Sequence, residues 1–173
     1  MAPDDKLAMA SMDIPIQYRR MKHGEESRVS AFISGVFHLF VAPDFSQRGI
    51  EEFMKYIHPD ALDRQLRGNH FALIATSGSK IIGVIEVRGY NHVALFFVDP
   101  RFQRKGIGRE LLRKATEFCK HHEVNLSQMS VNASPTSVAA YEKLGFKPAD
   151  VEQCVNGIRF VPMALRLQQV PDG

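Results

Sequence analysis

Cysteine is scarce: two residues, Cys119 and Cys154, in 173. Two thiols cannot build the multi-bridge framework of a small secreted scaffold, and a reducing cytoplasm is the default expectation. Long apolar runs are missing as well; none approaches the ~18 residues that a membrane-spanning helix needs. Charge of one sign is not in strong excess. Lys+Arg number 22 and Asp+Glu 19, a net charge of +3 with the seven His neutral. That falls well short of the footprint of a dedicated nucleic-acid binder, so neither nucleic acid nor membrane is expected as a partner. No internal repeat and no low-complexity stretch is visible. The first twelve residues carry Asp4 and Asp5 and no apolar core, which excludes a signal peptide. They read as a disordered tail, 1–12, ahead of a single domain over 13–170. Apolar residues make up 45% of the chain, the ordinary globular share, so a core can form without metals or disulfides.

What is present divides into two halves. Ile14–Met21 reads as a strand. Val29, Phe32, Ile33, Val36, Phe37 and Phe40 follow the spacing of one buried helix face, and Pro43 ends that helix. A second helical stretch runs over Gln47–Ile57, and Asp60 can cap a short turn reaching Leu66. Phe71–Thr76, Ile81–Val87 and His92–Val98, separated by Ser77-Gly78-Ser79 and Gly89-Tyr90-Asn91, predict an antiparallel meander. Beyond Asp99-Pro100 the pattern becomes helix, strand, helix. Ile107, Leu111, Leu112, Ala115, Phe118 and Cys119 form one apolar face, Leu126–Val131 a strand, and Ser134-Pro135 a capped helix start that Gly145 stops. Phe146–Ala149 and Ile158–Leu167 supply two more strands as a final hairpin. The expectation is an α/β (α+β) single domain: a mixed, mostly antiparallel sheet of six to seven strands with about four helices. Strand, helix, strand from His92 to Val131 implies one right-handed crossover and one parallel pair.

The chemistry concentrates in Val98-Asp99-Pro100-Arg101-Phe102-Gln103-Arg104-Lys105-Gly106-Ile107-Gly108-Arg109. A strand ends, and a basic, glycine-bearing loop opens a helix. Amides at a helix N-terminus carry partial positive charge and face outward. Glycines let backbone approach a bulky anion, and Arg104, Lys105 and Arg109 add full charges. The pattern suits a pyrophosphate. It lacks the G-x-x-x-x-G-K-[ST] of a P-loop, and Leu111 stands where a dinucleotide fingerprint needs its third glycine. Gln103 to Gly108 does match Q/R-x-x-G-x-G/A. That run, with Ala139-Ala140-Tyr141-Glu142-Lys143-Leu144-Gly145-Phe146 downstream, resembles the two coenzyme-A-binding motifs of the GNAT superfamily of N-acetyltransferases. The order of elements fits from about Ile14 to Leu167.

The resemblance implies a GNAT-like fold with a splayed parallel strand pair, and acetyl-CoA as cosubstrate. Its arm would lie along Phe96, Phe97 and Val98 by strand addition. Its pyrophosphate would sit on Gln103, Arg104, Lys105, Gly106, Ile107, Gly108 and Arg109. Asn132 matches a polar residue that contacts the arm, and Ser137 is a further candidate. No metal is implied. The reaction would be direct acetyl transfer to a primary amine through a tetrahedral intermediate. Such an amine, with a free pKa near ~10.4, must first lose a proton. Tyr141 matches the family's general acid for the leaving thiolate. The base stays open between Glu86, His92 and a water chain, because the strand His92–Val98 holds no carboxylate.

The acceptor side falls to the first helices, where Phe37, Phe40, Phe45, Phe53 and Tyr56 cluster in sequence. Val41–Gln47 is the expected groove wall, and Asp44, Glu51 and Glu52 are candidates to attract a cationic amine. The acceptor, whether a small amine-bearing molecule or a peptide or protein, is not identified by motifs. A non-catalytic acyl-CoA sensor is the alternative from another class. The exposed edge of Ile158–Leu167 invites self-pairing, and a homodimer is the assembly that the family suggests.

Overall fold

Two apolar cores, one on each face of a single sheet, organise the chain. The computed structural model describes residues 14–169; the expected tail lies outside them. The strands are β1 (Ile16–Arg20), β2 (His70–Ser77), β3 (Lys80–Arg88), β4 (His92–Val98), β5 (Gln128–Ala133), β6 (Lys147–Pro148), β7 (Gln153–Val155) and β8 (Ile158–Arg166). The helices are α1 (Glu26–Phe40), α2 (Gln47–Tyr56), α3 (Pro59–Arg67), α4 (Ile107–His122) and α5 (Val138–Lys143). The sheet runs β1-β2-β3-β4-β5-β8-β6, with β7 paired to β8. Every pairing is antiparallel except β4 with β5. No helix of the described residues is long and apolar enough to cross a membrane.

Residues 71–76 of β2 and 81–87 of β3 are buried without interruption. Strands covered on both faces read as continuous apolar runs rather than alternating ones. On one face, α4 lays Ile107, Leu111, Leu112, Ala115 and Cys119 on Leu73, Ile85, Val87 and Met129. On the other, Val29 and Ile33 of α1 and Leu62 of α3 meet Ile74, Val84 and Leu95. Each fully buried Leu or Ile contributes roughly 1.5–3 kcal/mol by leaving water. Gly83 fixes the height of α4. A Cβ there would stand 2.9 Å from Leu111 Cδ1 and 3.3 Å from Ile107 Cγ2, so its absence lets the start of α4 settle onto the sheet.

The expected meander, crossover and parallel pair are all present. Eight strands replace the six to seven expected, because Gln153–Val155 forms the hairpin with β8 while Lys147–Pro148 pairs elsewhere along β8. β7 is solvated and has no apolar alternation to reveal it. Caps also differ from the sequence reading. His58, not Asp60, caps α3, its Nδ1 accepting from the Asp60 N–H at 3.2 Å. Ser134 makes no capping bond to the backbone; Pro135–Ser137 form a 3₁₀ turn before α5 begins. Arg19 of β1 donates to both Glu25 carboxylate oxygens at 2.6 and 3.0 Å.

Candidate functional site

The parallel pair is short. β4 and β5 register only at His92↔Ser130 and Val93↔Val131. In the β3–β4 ladder Glu86 faces Leu95 and Val87 faces Val93, so Ala94 is an extra residue in β4. A bulge bends its strand and increases local twist, and here it coincides with the point where β4 parts from β5. From Leu95 to Val98 one edge of β4 pairs with β3 while the other has no strand of the described residues beside it. β5 is held away by six register pairs to β8, Gln128↔Arg166 to Ala133↔Val161.

A groove of about 640 Å³ occupies this opening. Side chains alternate across a strand, and β4 sends them to both faces. The ring of Phe96 meets Tyr141 edge-on at 6.1 Å, beside α4 and α5. Phe97 lies 6.1 Å from Phe53, beside α1 and α2. Both line the groove, which therefore passes between the strands from one face of the sheet to the other.

At the α4 end the loop is shaped for an anion. Arg104 and Gly106 have φ of 64° and 78°, left-handed residues of the kind that build concave arrays of N–H groups. Gly106 accepts the first helical bond, from Glu110 N–H at 3.0 Å. The first-turn amides of α4 have no partner inside the helix. Gln103 Nε2 donates to Val98 O at 3.2 Å, which ties the loop to the end of β4. Asp99 accepts from the Arg101 N–H at 2.9 Å and from its guanidinium, and that pairing holds its carboxyl below the usual range. Arg109 reaches across to the Lys143 carbonyl of α5 at 3.1 Å. The residues present fit a pyrophosphate-bearing ligand: unpartnered amides, left-handed turns and a basic rim.

Tyr141 sits on α5 between Phe96 and Phe146, half-buried, and lines the groove. Desolvation by burial raises its phenol pKa well above the ordinary value, so the phenol keeps its proton throughout the neutral range. Among the described residues its hydroxyl has no hydrogen-bond partner.

Phe96, Phe97, Val98, Gln103, Arg104, Gly106, Ile107, Gly108, Arg109, Ser137 and Tyr141 thus come together around one groove. Four of the cofactor and catalytic candidates do not line it, nor do the acceptor-side candidates Asp44, Glu51 and Glu52. Lys105 turns its Nζ over the Phe102 ring at 5.3 Å. Asn132 is an exposed residue of β5 facing Pro162 in the β8 ladder. His92 sits at the closed end of the parting strands, with Nδ1 2.8 Å from Ser130 Oγ; burial first, and then Arg88, lowers its pKa. Glu86 is 1% exposed, its carboxylate 3.1 Å from the Tyr56 hydroxyl and 2.8 Å from His70 Nδ1. Burial, followed by Glu86 itself, raises the pKa of Tyr56.

Sequence reasoning missed Val36, Phe102 and Thr136, all lining residues. Val36 was indistinguishable from the core stripe of α1, and Thr136 carries no motif signal. Phe40, expected in that stripe, is instead 46% exposed at the groove.

The family model of the acetyltransferase (GNAT) domain matches residues 41–167. Among solved structures, a GCN5-related N-acetyltransferase from Rhodopseudomonas palustris superposes with a TM-score of 0.74 at 18% identity, covering 87% of this chain and 95% of that one. The PaiA N-acetyltransferase of Thermoplasma acidophilum, in complex with coenzyme A, gives 0.74 at 19% identity, with 88% and 99% covered. An aminoglycoside 6'-N-acetyltransferase complexed with coenzyme A gives 0.62 at 13% identity, with 90% and 99% covered. No curated protein matches the chain in sequence.

Proposed function

The chain belongs to the GNAT acetyltransferase family, and from that premise we propose that it transfers an acetyl group from acetyl-CoA to a primary amine. One observation carries the reading. The anion-shaped loop, the unpaired edge of β4 and the protonated Tyr141 all border one groove that crosses the sheet.

The roles follow from position. The first-turn amides of α4, with Arg104 and Arg109, hold the pyrophosphate. The unpaired edge of β4 at Phe96–Val98 takes the cofactor arm by backbone pairing, and its N–H groups suit the developing oxyanion. Ser137 contributes a hydroxyl to the groove wall. The cosubstrate supplies an activated acyl group as a thioester. The neutral amine attacks its carbonyl carbon, a C–N bond forms and the C–S bond breaks. The nitrogen loses one proton to water, the sulfur gains one from the Tyr141 hydroxyl, and water returns a proton to the tyrosinate. Burial weakens Tyr141 as an acid, and the same apolar surroundings disfavour the thiolate and so raise its demand for a proton.

The amine's proton has no carboxylate to receive it among the lining residues. Desolvation in an apolar chamber lowers the pKa of an amine and favours its neutral form before attack. Water is then the acceptor of that proton. Glu86 does not line the groove and would serve as base only through a group on its carboxylate, Tyr56 or His70.

Calorimetry with acetyl-CoA, together with thiol release by the wild type and Tyr141→Phe, tests the reading. The variant should retain cofactor affinity and lose roughly 10²–10⁴-fold in turnover. Equal turnover would remove Tyr141 from proton transfer. Tight binding with no thiol release from any amine would replace the enzyme by an acyl-CoA sensor.

A further inference from the structure

We propose that the acceptor is a small amine carried on an apolar aryl or alkyl body, with one cationic centre, rather than a polycation or a polypeptide. The inference rests on the acetyl-transfer reading above.

The groove has two unlike ends. Its charged lining residues are Arg104, Arg109 and Lys143, all basic, on the face of the sheet that carries α4 and α5. Through the opening between β4 and β5, the other end is bordered by Val36, Phe40, Val41 and Phe97. Behind them Phe37, Phe45 and Phe53 pack ring on ring, with Phe37 and Phe53 stacked at 4.0 Å. Phe40 is 46% exposed and its neighbour Leu39 is 65% exposed. Phe40 thus offers the groove an apolar surface that the fold itself leaves uncovered.

Among the described residues no carboxylate lines the groove, and the acids near it have other partners. Asp44 Oδ2 accepts from Thr136 N–H at 3.1 Å and from its hydroxyl at 2.8 Å. Glu51 accepts from Gln47 at 3.3 Å. Glu52 pairs with Lys55 at 3.6 Å. Glu86 is enclosed by Tyr56 and His70. None of the acids that the sequence suggests for attracting a cation lines the groove: Glu52 is paired with Lys55, and Asp44 and Glu51 keep their charge outside its wall. A polyamine or an aminoglycoside would bring several charges to a wall without counter-charges, and burying unpaired charge is costly. A single amine escapes that cost by shedding its proton, which is also what attack requires.

Size is bounded as well. The Thr136 hydroxyl shares its one proton between Asp44 Oδ2 at 2.8 Å and the Phe40 carbonyl at 3.2 Å, and its N–H bonds Asp44, so the segment after α1 is strapped to the loop after β5. The next residues are pinned to the β7–β8 hairpin through Ser46 N–H to Gly157 O at 3.1 Å and Arg48 to Asn156 at 3.0 Å. The groove of about 640 Å³ must hold the pyrophosphate, arm and acyl end of the cosubstrate as well as the acceptor. That suits a small molecule and leaves no open trench for an extended chain.

The experiment compares kcat/KM for thiol release from acetyl-CoA with phenethylamine, hexylamine, spermidine, kanamycin and a free-N-terminus peptide at one pH and salt. Phenethylamine and hexylamine should exceed the others by at least about 10–200-fold, the range set by burial of apolar groups in a pocket. Phe40→Ala, at an exposed position, should cut kcat/KM for phenethylamine about tenfold on the same scale, with acetyl-CoA affinity retained. Preference for spermidine, kanamycin or the peptide would overturn the inference and leave acetyl transfer standing. Calorimetric binding of acetyl-CoA with no thiol release from any acceptor would overturn both.

Discussion

Gly49 tests the strap through a substitution whose sign is not obvious. It is buried in the first turn of α2, under the β7–β8 hairpin. A Cβ there would stand 2.7 Å from the Gly157 carbonyl carbon and 3.2 Å from the Ile158 nitrogen, and closer still to the Gly157 oxygen. All three are backbone atoms of a paired hairpin, so no side-chain rotation relieves the contact. Gly→Ala within a helix ordinarily stabilises by about 0.8–1.0 kcal/mol. Over-packing costs about 1–3 kcal/mol, and a backbone obstacle puts this case at the upper end. The net expectation for Gly49→Ala is a loss of about 2 kcal/mol. For a chain of this length that lowers the melting temperature by roughly 4–8 °C. Gly35 in α1 is the control: it is exposed, and a Cβ there meets nothing within 4 Å. Gly35→Ala should gain up to about 1 kcal/mol. Urea unfolding of both variants measures the difference. A Gly49→Ala protein as stable as the wild type, beside a stabilised Gly35→Ala, would refute the docking of the hairpin on α2.

The remaining predictions address charge and protons. Arg104→Glu should weaken acetyl-CoA by about 10–100-fold, the loss of one charge-assisted contact; an unchanged Kd by calorimetry would remove the loop as the pyrophosphate site. Glu25, held at about 2 chiefly by its hydrogen bonds from Arg19, contributes stability that is complete above its unfolded value near 4.5 and disappears as pH falls toward 2. Glu25→Gln should flatten the stability profile in that window, and an identical slope in both proteins would refute the pairing. Glu86→Ala strands two half-buried groups, Tyr56 and His70, and should cost about 1–3 kcal/mol in urea without altering acetyl-CoA affinity. Glu86→Gln keeps the shape; if turnover collapses while stability holds, Glu86 is the base acting through Tyr56 or His70.

Periodicity made the fold legible where one rule dominates. The α4 face from Ile107 to Cys119 is buried as its spacing demands. β2 and β3 announce themselves as apolar runs, since helices cover both faces of the sheet. The anion loop is legible because glycines and basic residues must be contiguous there. Long-range geometry was not. Nothing local to His92–Val98 says that pairing with β5 stops after Val93, since that depends on a bulge at Ala94 and on the grip of β8 upon β5. Phe40 obeys the same spacing as Val36 and Phe37, yet it borders an opening, because the helix ends where the sheet divides. Thr136 matters through Asp44, 92 residues away in the chain. Sequence spacing carries no trace of such a pair.

The two-residue parallel contact explains why the site needs the strap at all. β1 to β4 form one antiparallel block, and β5, β8 and β6 form another. Between them the backbone ladder consists of His92↔Ser130 and Val93↔Val131. A wider opening would cost no further sheet bonds, so the width must be set by contacts beyond the ladder. Among those that span the gap are the α4 crossover packed on both blocks, Arg109 on the Lys143 carbonyl, and Asp44 with Thr136, beside the Ser46 and Arg48 bonds to the β7–β8 hairpin. The first two stand on the face of the anion loop and the third on the face of α1. A ligand on either face therefore meets a wall tied to the other block. Thr136→Val, which removes the hydroxyl bonds to Asp44 and Phe40 at nearly constant shape, should loosen the α1 side alone. The expected signature is faster hydrogen exchange at Val41–Ser46, with the α4 amides unchanged. Loosening of both segments together would mean that the two blocks move as one and that the strap does not set the width.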